Sequence, residues 1–174
     1  MSMAPRLRKL ALTAHVASSV GWLGAIAGFL ALAIAGLTSP DARMVQGAYL
    51  AMELTGWWVI VPLSLASLLT GLIQSLGTTW GLFRHYWVLA KLLMASLATL
   101  VLLLHMQPIG RLARVAAAAT LSAATLRDLR IQLVADAGAA LTVLLLATLL
   151  SVYKPKGLTR YGRTRPAQRP AMPA

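Results

Sequence analysis

The sequence contains no cysteine. The chain therefore cannot form disulfides, thiolate metal sites or iron–sulfur clusters, and it has no cysteine nucleophile. Familiar catalytic motifs are missing too: there is no Walker loop, no G-x-S-x-G, no HExxH and no pair of neighbouring carboxylates. Nothing in the sequence requires a chemical reaction, so the pattern leaves open whether the protein is an enzyme.

Charged residues are also scarce. They make up 11% of the 174 residues, against about 25% in ordinary soluble domains. Hydrophobic residues make up 59%, and the mean hydropathy is +0.74. A water-soluble domain of this size could not hide so much apolar surface, so we expect the lipid bilayer to be the solvent of this chain.

Four apolar segments stand out along the chain. They cover residues 10–37, 54–76, 86–106 and 131–153. Each reaches the roughly 20 residues that a helix needs to cross about 30 Å of hydrocarbon, whereas barrel strands would be shorter and alternating. The sequence therefore predicts an all-α, polytopic membrane protein, a four-transmembrane-helix bundle within residues 1–153. The first segment is too long for a signal peptide, so we expect it to be retained.

The connecting segments differ in length and composition. We expect residues 38–53 to form a short loop and residues 77–85 a tight turn. The longest link, residues 107–130, holds an alanine-rich stretch that is either an interfacial helix or an extension of the fourth span. Residues 154–174 are basic and too poor in apolar residues to fold alone, so we expect a disordered tail that contacts anionic lipid headgroups.

The basic residues are distributed unevenly. The chain has 16 Lys+Arg against 4 Asp+Glu, which gives a net charge of +12. If both termini are cytoplasmic, ten basic residues lie on the inner side and five on the outer side, with Lys91 inside a helix. This bias predicts that orientation. With no folded basic domain, nucleic-acid binding is not expected.

Ionisable side chains inside spans are candidates for function, because burying them in lipid costs at least about 2.5 kcal/mol. His15 and Lys91 each lie about five residues into a helix from the inner side, or about 8 Å deep at 1.5 Å per residue. They could meet at one depth. No carboxylate accompanies them, so Lys91 is neutral, pairs with an anionic ligand, or extends to the headgroups.

On the outer side, His105 ends the third span and Asp136 lies one turn into the fourth. A contact between them would orient the imidazole for a metal or haem iron, or would simply join two helices. Glu53 begins the second span at the same level. Its negative charge is explained by the positive end of the helix dipole at the start of that span.

The segment Arg84–Trp87 combines basic and aromatic residues at the inner interface. Such clusters anchor helices in membranes; alternatively, Arg84 contacts a haem propionate or a lipid headgroup. Three histidines, His15, His85 and His105, are few for a metal transporter but enough for one or two axial ligands of haem.

Small residues recur at the spacing that lets membrane helices approach closely. Gly24 and Gly28 form one such pair, and Ser67 and Gly71 form another. We expect these pairs to pack within the bundle. Pro62 predicts a kink in the second helix.

Several segments together resemble a bacterial family of small four-helix membrane proteins of unknown function, over residues 10–163. The resemblance rests on residues 12–29, with Val20-Gly21-Trp22-Leu23-Gly24, on residues 69–71, on residues 81–91, and on residues 151–159. It implies a protein of the bacterial cytoplasmic (inner) membrane.

A more distant resemblance involves His15, Trp22 and Gly24, followed by Trp87, Lys91 and His105. This pattern is similar to the HemJ-type protoporphyrinogen oxidase and to the CopD copper-resistance membrane domain. The HemJ resemblance implies that His15 and Lys91 are the functional pair, associated with haem or porphyrin.

Three functions follow as alternatives. The first is an accessory or structural subunit that docks a membrane protein partner or a second copy. The second is a redox protein that binds haem b or a porphyrin, with His15 or His105 as iron ligand and Lys91 or Arg84 near a carboxylate. The third is a small transporter or metal-handling protein with a polar track of His15, Lys91, His105 and Asp136.

Overall fold

The computed structural model describes residues 4–77, 82–83, 85–117, 127–153, 157 and 159. Almost all of this part of the chain is helical. The α-helices are α1 (Pro5–Thr38), α2 (Ala42–Thr55), α3 (Val61–Gly77), α4 (Tyr86–Ala117) and α5 (Arg127–Tyr153). A π-helical turn, Gly56–Ile60, joins α2 to α3 without a break.

The helices form four segments that are long and apolar enough to cross a membrane. These are Pro5–Thr38, Ala42–Gly77, Tyr86–Arg114 and Arg127–Tyr153. The shortest has 27 residues, which exceeds the roughly 20 that a span requires. The prediction of an all-α bundle with four helices of membrane-spanning length is confirmed.

Successive segments run antiparallel. Near the start of α1, the carbonyl of Ala11 accepts a hydrogen bond from Gln74, which lies near the end of α3. Near the end of α1, Gly36 lies against Tyr49 of α2. We call the end that holds Ala11 and Gln74 the terminal end of the bundle, and the end that holds Gly36 and Tyr49 the opposite end. Helix α1 packs against α2, α3 and α5.

The loop predicted for residues 38–53 is wrong. Helix α2 begins at Ala42, and the Asp41 side chain caps it by accepting the backbone N–H of Arg43 at 2.9 Å. Val45, Tyr49 and Met52 are buried at intervals of three and four residues. Such an amphipathic helix lacks an unbroken apolar run, so a search for apolar runs missed it.

The link predicted for residues 107–130 is also shorter in the structure. Helix α4 continues through Pro108 to Ala117, with Ile109 and Leu112 buried, and α5 begins at Arg127. Of the alanine-rich stretch, residues 115–117 belong to α4, and residues 118–126 lie outside the described part of the chain.

These two extensions contribute to a tightly packed core at the opposite end of the described bundle. Its largest side chains, each less than 2% exposed, are Tyr49, Met52, Ile60, Met106, Ile109 and Leu112. Two glycines let the helices approach. A Cβ atom on Gly36 would lie 2.7 Å from Tyr49 Cζ, and one on Gly56 would lie 2.7 Å from Met106 Cε.

Pro62 follows directly after the π-helical turn. Proline has no backbone N–H and its ring presses on the carbonyl four residues back, here that of Trp58. The helix is wider at this turn, because the N–H of Val61 bonds to the carbonyl of Gly56, five residues back. The sequence predicts a kink at Pro62; the structure has a π turn just before it.

Two residues after α5 contact the connection between α3 and α4. The N–H of Tyr86 bonds to the carbonyl of Gly157 at 3.4 Å. Thr159 is buried, and its hydroxyl donates to the carbonyl of Phe83. The disorder predicted for the tail does not extend to these two residues, and the rest of residues 154–174 lies outside the described part of the chain.

The close contact between α1 and α2 predicts that Gly36→Ala destabilises the protein by about 1–3 kcal/mol, because the added methyl group overpacks against Tyr49. Gly47→Ala is the matched control, since nothing lies within 4 Å of that position. It should be neutral or stabilising by up to about 1 kcal/mol. Thermal unfolding in detergent measures both; equal stability of the two variants would contradict the packing.

Candidate functional site

His15 of α1 lies against α3 at the terminal end. Its Nδ1 atom is 3.1 Å from the carbonyl of Ser67 and 3.1 Å from the hydroxyl oxygen of Thr70. Gly71 makes room for the ring, because a Cβ atom there would lie 3.1 Å from His15 Cε1. The Ser67–Gly71 pair therefore packs within the bundle, as predicted, and accommodates an imidazole.

The same face of α1 carries two further contacts to α3. Ser19 Oγ lies 2.7 Å from Ser67 Oγ, and Gln74 Nε2 donates to the carbonyl of Ala11 at 2.9 Å. Ala11, His15 and Ser19 are spaced by four residues and so share one helix face. Together these contacts form a polar seam between α1 and α3.

The seam fixes which nitrogen of His15 carries a proton. A carbonyl oxygen only accepts, so Nδ1 must be the donor to Ser67. The hydroxyl of Thr70 donates in turn to the carbonyl of Ala66 at 2.6 Å. In the described part of the chain no hydrogen bond reaches Nε2, which keeps its lone pair. Metal-binding histidines are held in this way, with the other ring nitrogen donating to a carbonyl.

Lys91 of α4 is half-buried and lies within electrostatic range of His15. The sequence prediction that the two side chains lie at one depth agrees with this placement. In residues 4–77, 85–117 and 127–153, no hydrogen bond or ion pair reaches the Lys91 ammonium group.

The Asp and Glu side chains lie away from this cluster. There are four, and all are at the opposite end: Asp41, Glu53, Asp128 and Asp136. No Asp or Glu side chain of the chain therefore lies beside the His15–Lys91 cluster.

His105 and Asp136 are in contact at the opposite end, with Nε2 and Oδ2 2.8 Å apart. The two atoms are not aligned as a hydrogen bond, so the contact is an ion pair only when the imidazole is protonated. Nδ1 of His105 lies 2.8 Å from the carbonyl of Val101, and Nε2 lies 3.3 Å from Gln132 Nε2. Both ring nitrogens are thus engaged, unlike those of His15.

The two histidines are far apart along the bundle. Lys91, at the level of His15, and His105 are fourteen residues apart on α4, or about 21 Å at 1.5 Å per residue. They cannot ligate one haem iron together. No Asp, Glu, Lys, Arg or His occurs between these levels in any span, so the polar track expected for a transporter is interrupted.

The two other predicted positions, Arg84 and His85, provide less evidence for a site. Arg84 lies outside the described residues. His85 and Trp87 have ring centroids 6.1 Å apart at the start of α4, and their role as a membrane anchor stays a prediction.

Tyr49 and Arg130 form a pair that the sequence reasoning missed. The Arg130 guanidinium carbon lies 5.6 Å from the centroid of the Tyr49 ring. The Tyr49 hydroxyl and Arg130 Nε are buried without a hydrogen-bond partner in the described residues. Tyr49 belongs to the amphipathic stripe of α2, so recognising that stripe would have pointed to it.

The packing predicted for Gly24 and Gly28 is wrong. Both are exposed, and nothing lies within 4 Å of a Cβ atom placed on either. Gly21, on another face of α1, packs against Leu63 of α3 instead, since a Cβ atom placed on Gly21 would lie 3.3 Å from a Leu63 methyl group. The Gly24–Gly28 pair lies on the outer surface of the bundle.

Comparisons with protein-family models, curated proteins and solved structures found no match to this chain. The site must therefore be interpreted from its own geometry.

The seam predicts an energetic coupling between Ser19 and Ser67. In a double-mutant cycle of Ser19→Ala and Ser67→Ala, we expect a coupling of about 0.6 kcal/mol, the average for hydrogen bonds between membrane helices. The control cycle pairs Ser19→Ala with Thr148→Ala, whose hydroxyl bonds within α5, and should be additive. Unfolding in detergent micelles gives the values, and additivity in both cycles would refute the seam.

Proposed function

We propose that this protein is a multi-pass membrane protein that binds b-type haem or a related porphyrin at the terminal end. The observation that carries the proposal is the state of His15. Its Nδ1 donates to a backbone carbonyl, and its Nε2 lone pair is left for a ligand.

The neighbouring charge suits such a ligand. Haem carries two propionate carboxylates, and the half-buried Lys91 has no Asp or Glu side chain near it. A propionate would supply the missing counter-ion and so reduce the cost of keeping an ammonium group in a span. His15 would hold the iron and Lys91 a propionate, while the bound haem would supply one-electron chemistry.

The proposal assigns no iron-binding role to His105, because both of its nitrogens are already engaged. We further propose that the terminal end faces the cytoplasm of a bacterial cell, since the excess of basic residues lies on that side.

A visible spectrum of detergent-purified protein, expressed with added haem, tests this proposal. We expect a Soret band that sharpens on reduction with dithionite, together with resolved α and β bands. His15→Ala should abolish the spectrum, while His105→Ala should leave it intact. Lys91→Met should weaken haem retention but keep the iron ligand.

A colourless wild-type protein would rule out haem, and loss of the spectrum in His105→Ala but not in His15→Ala would place the ligand at the opposite end. Porphyrin without iron is tested separately through its fluorescence, with the same variants.

A second candidate function is that of an accessory subunit, favoured by the exposed Gly24–Gly28 pair. In lipid, two small residues one turn apart on an open helix face let another helix approach closely. The same face could receive a membrane protein partner or a second copy of this chain.

For this candidate we expect Gly24→Leu or Gly28→Leu to release a partner, or a second copy, that co-purifies from native membranes in mild detergent. Gly47→Leu, an exposed glycine at the opposite end, is the control and should have no effect. Unchanged co-purification in the Gly24 and Gly28 variants would exclude this face.

A further inference from the structure

The Glu53 carboxylate lies beside a groove. The groove lies along α2 and the π-helical turn, has a volume of about 710 Å³, and is lined by Leu50, Glu53, Leu54, Trp57 and Trp58. It is far from His15 and Lys91, which lie at the terminal end, and neither residue lines it.

The Glu53 side chain packs closely against α4. Its Oε1 atom lies against α4 at Gly110, where a Cβ atom would be only 3.0 Å away. A side chain at position 110 would therefore meet the carboxylate, which would have to shift by a few tenths of an ångström. Glycine in a helix costs about 1 kcal/mol relative to alanine, and here it leaves room for a charged group.

No basic residue neutralises this carboxylate in the described part of the chain. Arg43, Arg111, Arg114, Arg127 and Arg130 are all at the same end of the bundle, yet none lies within ion-pair distance of Glu53. The Glu53 side chain is thus half-buried, lines the groove and has no ion-pair partner among the described residues.

The remaining walls of the groove select among cations. Trp57 and Trp58 are 50% and 76% exposed, and indole faces attract cations, above all poorly hydrated ones. A divalent metal ion needs several oxygen ligands, and the described residues contain no group of three or more His, Cys, Asp or Glu side chains that could hold one. A cation with an apolar body contacts the leucines and the indoles through its apolar part and the carboxylate through its charge.

We propose that this groove binds a lipophilic organic cation, with its charge beside Glu53 and its apolar body on Trp57 and Trp58. The volume lies within the range of about 300–1,000 Å³ that is typical for sites of small molecules. The tryptophans stand at the start of the apolar part of the span, where aromatic residues meet the membrane interface. Amphipathic cations concentrate at the same level, so the ligand reaches the groove from the membrane.

The test uses the full-length protein in dodecyl maltoside and tetraphenylphosphonium as the probe, measured by equilibrium dialysis against protein-free micelles. We expect saturable binding in the wild type. Glu53→Gln and Trp58→Leu should each weaken it by about tenfold or more. Asp128→Asn removes an exposed carboxylate at the same end and should leave the affinity unchanged.

Tetraphenylborate, an anion of the same shape, separates the charge effect from adsorption to apolar surface. If tetraphenylborate binds at all, the Glu53→Gln substitution should not weaken its binding. The proposal is overturned if the wild type takes up no more phosphonium than micelles do, or if Glu53→Gln binds it as the wild type does. It is also overturned if Asp128→Asn loses as much affinity, because a general charge effect would then suffice.

Circular dichroism and size-exclusion chromatography check that each variant is folded. If Glu53→Gln does not fold, Trp58→Leu decides alone, since Trp58 is the more exposed of the two tryptophans and its loss should not disturb the core. Unchanged phosphonium affinity in a folded Trp58→Leu variant would remove the groove as the site.

Discussion

Hydrocarbon offers a peptide group no hydrogen-bond partner, and this constraint governs most of the structure. Each span satisfies its own backbone as a helix. Most hydroxyl groups in the spans follow the same rule and donate to a carbonyl three or four residues back, as Thr99, Thr148 and Ser151 do. The few polar groups that bond between helices, such as His15 and Ser19 to α3, therefore mark where two helices are held in register.

The same constraint explains why the two ends of the bundle differ. At the opposite end, α2 and the last turns of α4 extend past the apolar runs and bury a core of large side chains around Tyr49 and Met106. All four carboxylates belong to this end. The terminal end instead has a polar seam and Lys91, and no Asp or Glu side chain of the chain lies there to pair with it.

The sequence was sufficient to predict the four spans, because lipid imposes a length of apolar residues that is easy to detect. It also predicted that His15 and Lys91 lie at one depth, since a helix converts residue number into distance, and the two side chains lie within electrostatic range of each other. It did not predict α2, whose buried residues Val45, Tyr49 and Met52 are four and three residues apart and belong to no span-length apolar run. Nor did it show that Gly24 and Gly28 face outward or that Nε2 of His15 is free, because both depend on how α1 is rotated against α3.

The burial along α4 is uneven, and this has a mechanical consequence. From Met106 onward the helix has several fully buried side chains, whereas between Tyr86 and His105 only Thr99 is buried to that degree. Regions with few buried contacts open at the lowest free energy, so we expect α4 to separate from its neighbours more readily around Lys91 than around Met106. Lys91 therefore lies on the half of α4 that is held least firmly by packing.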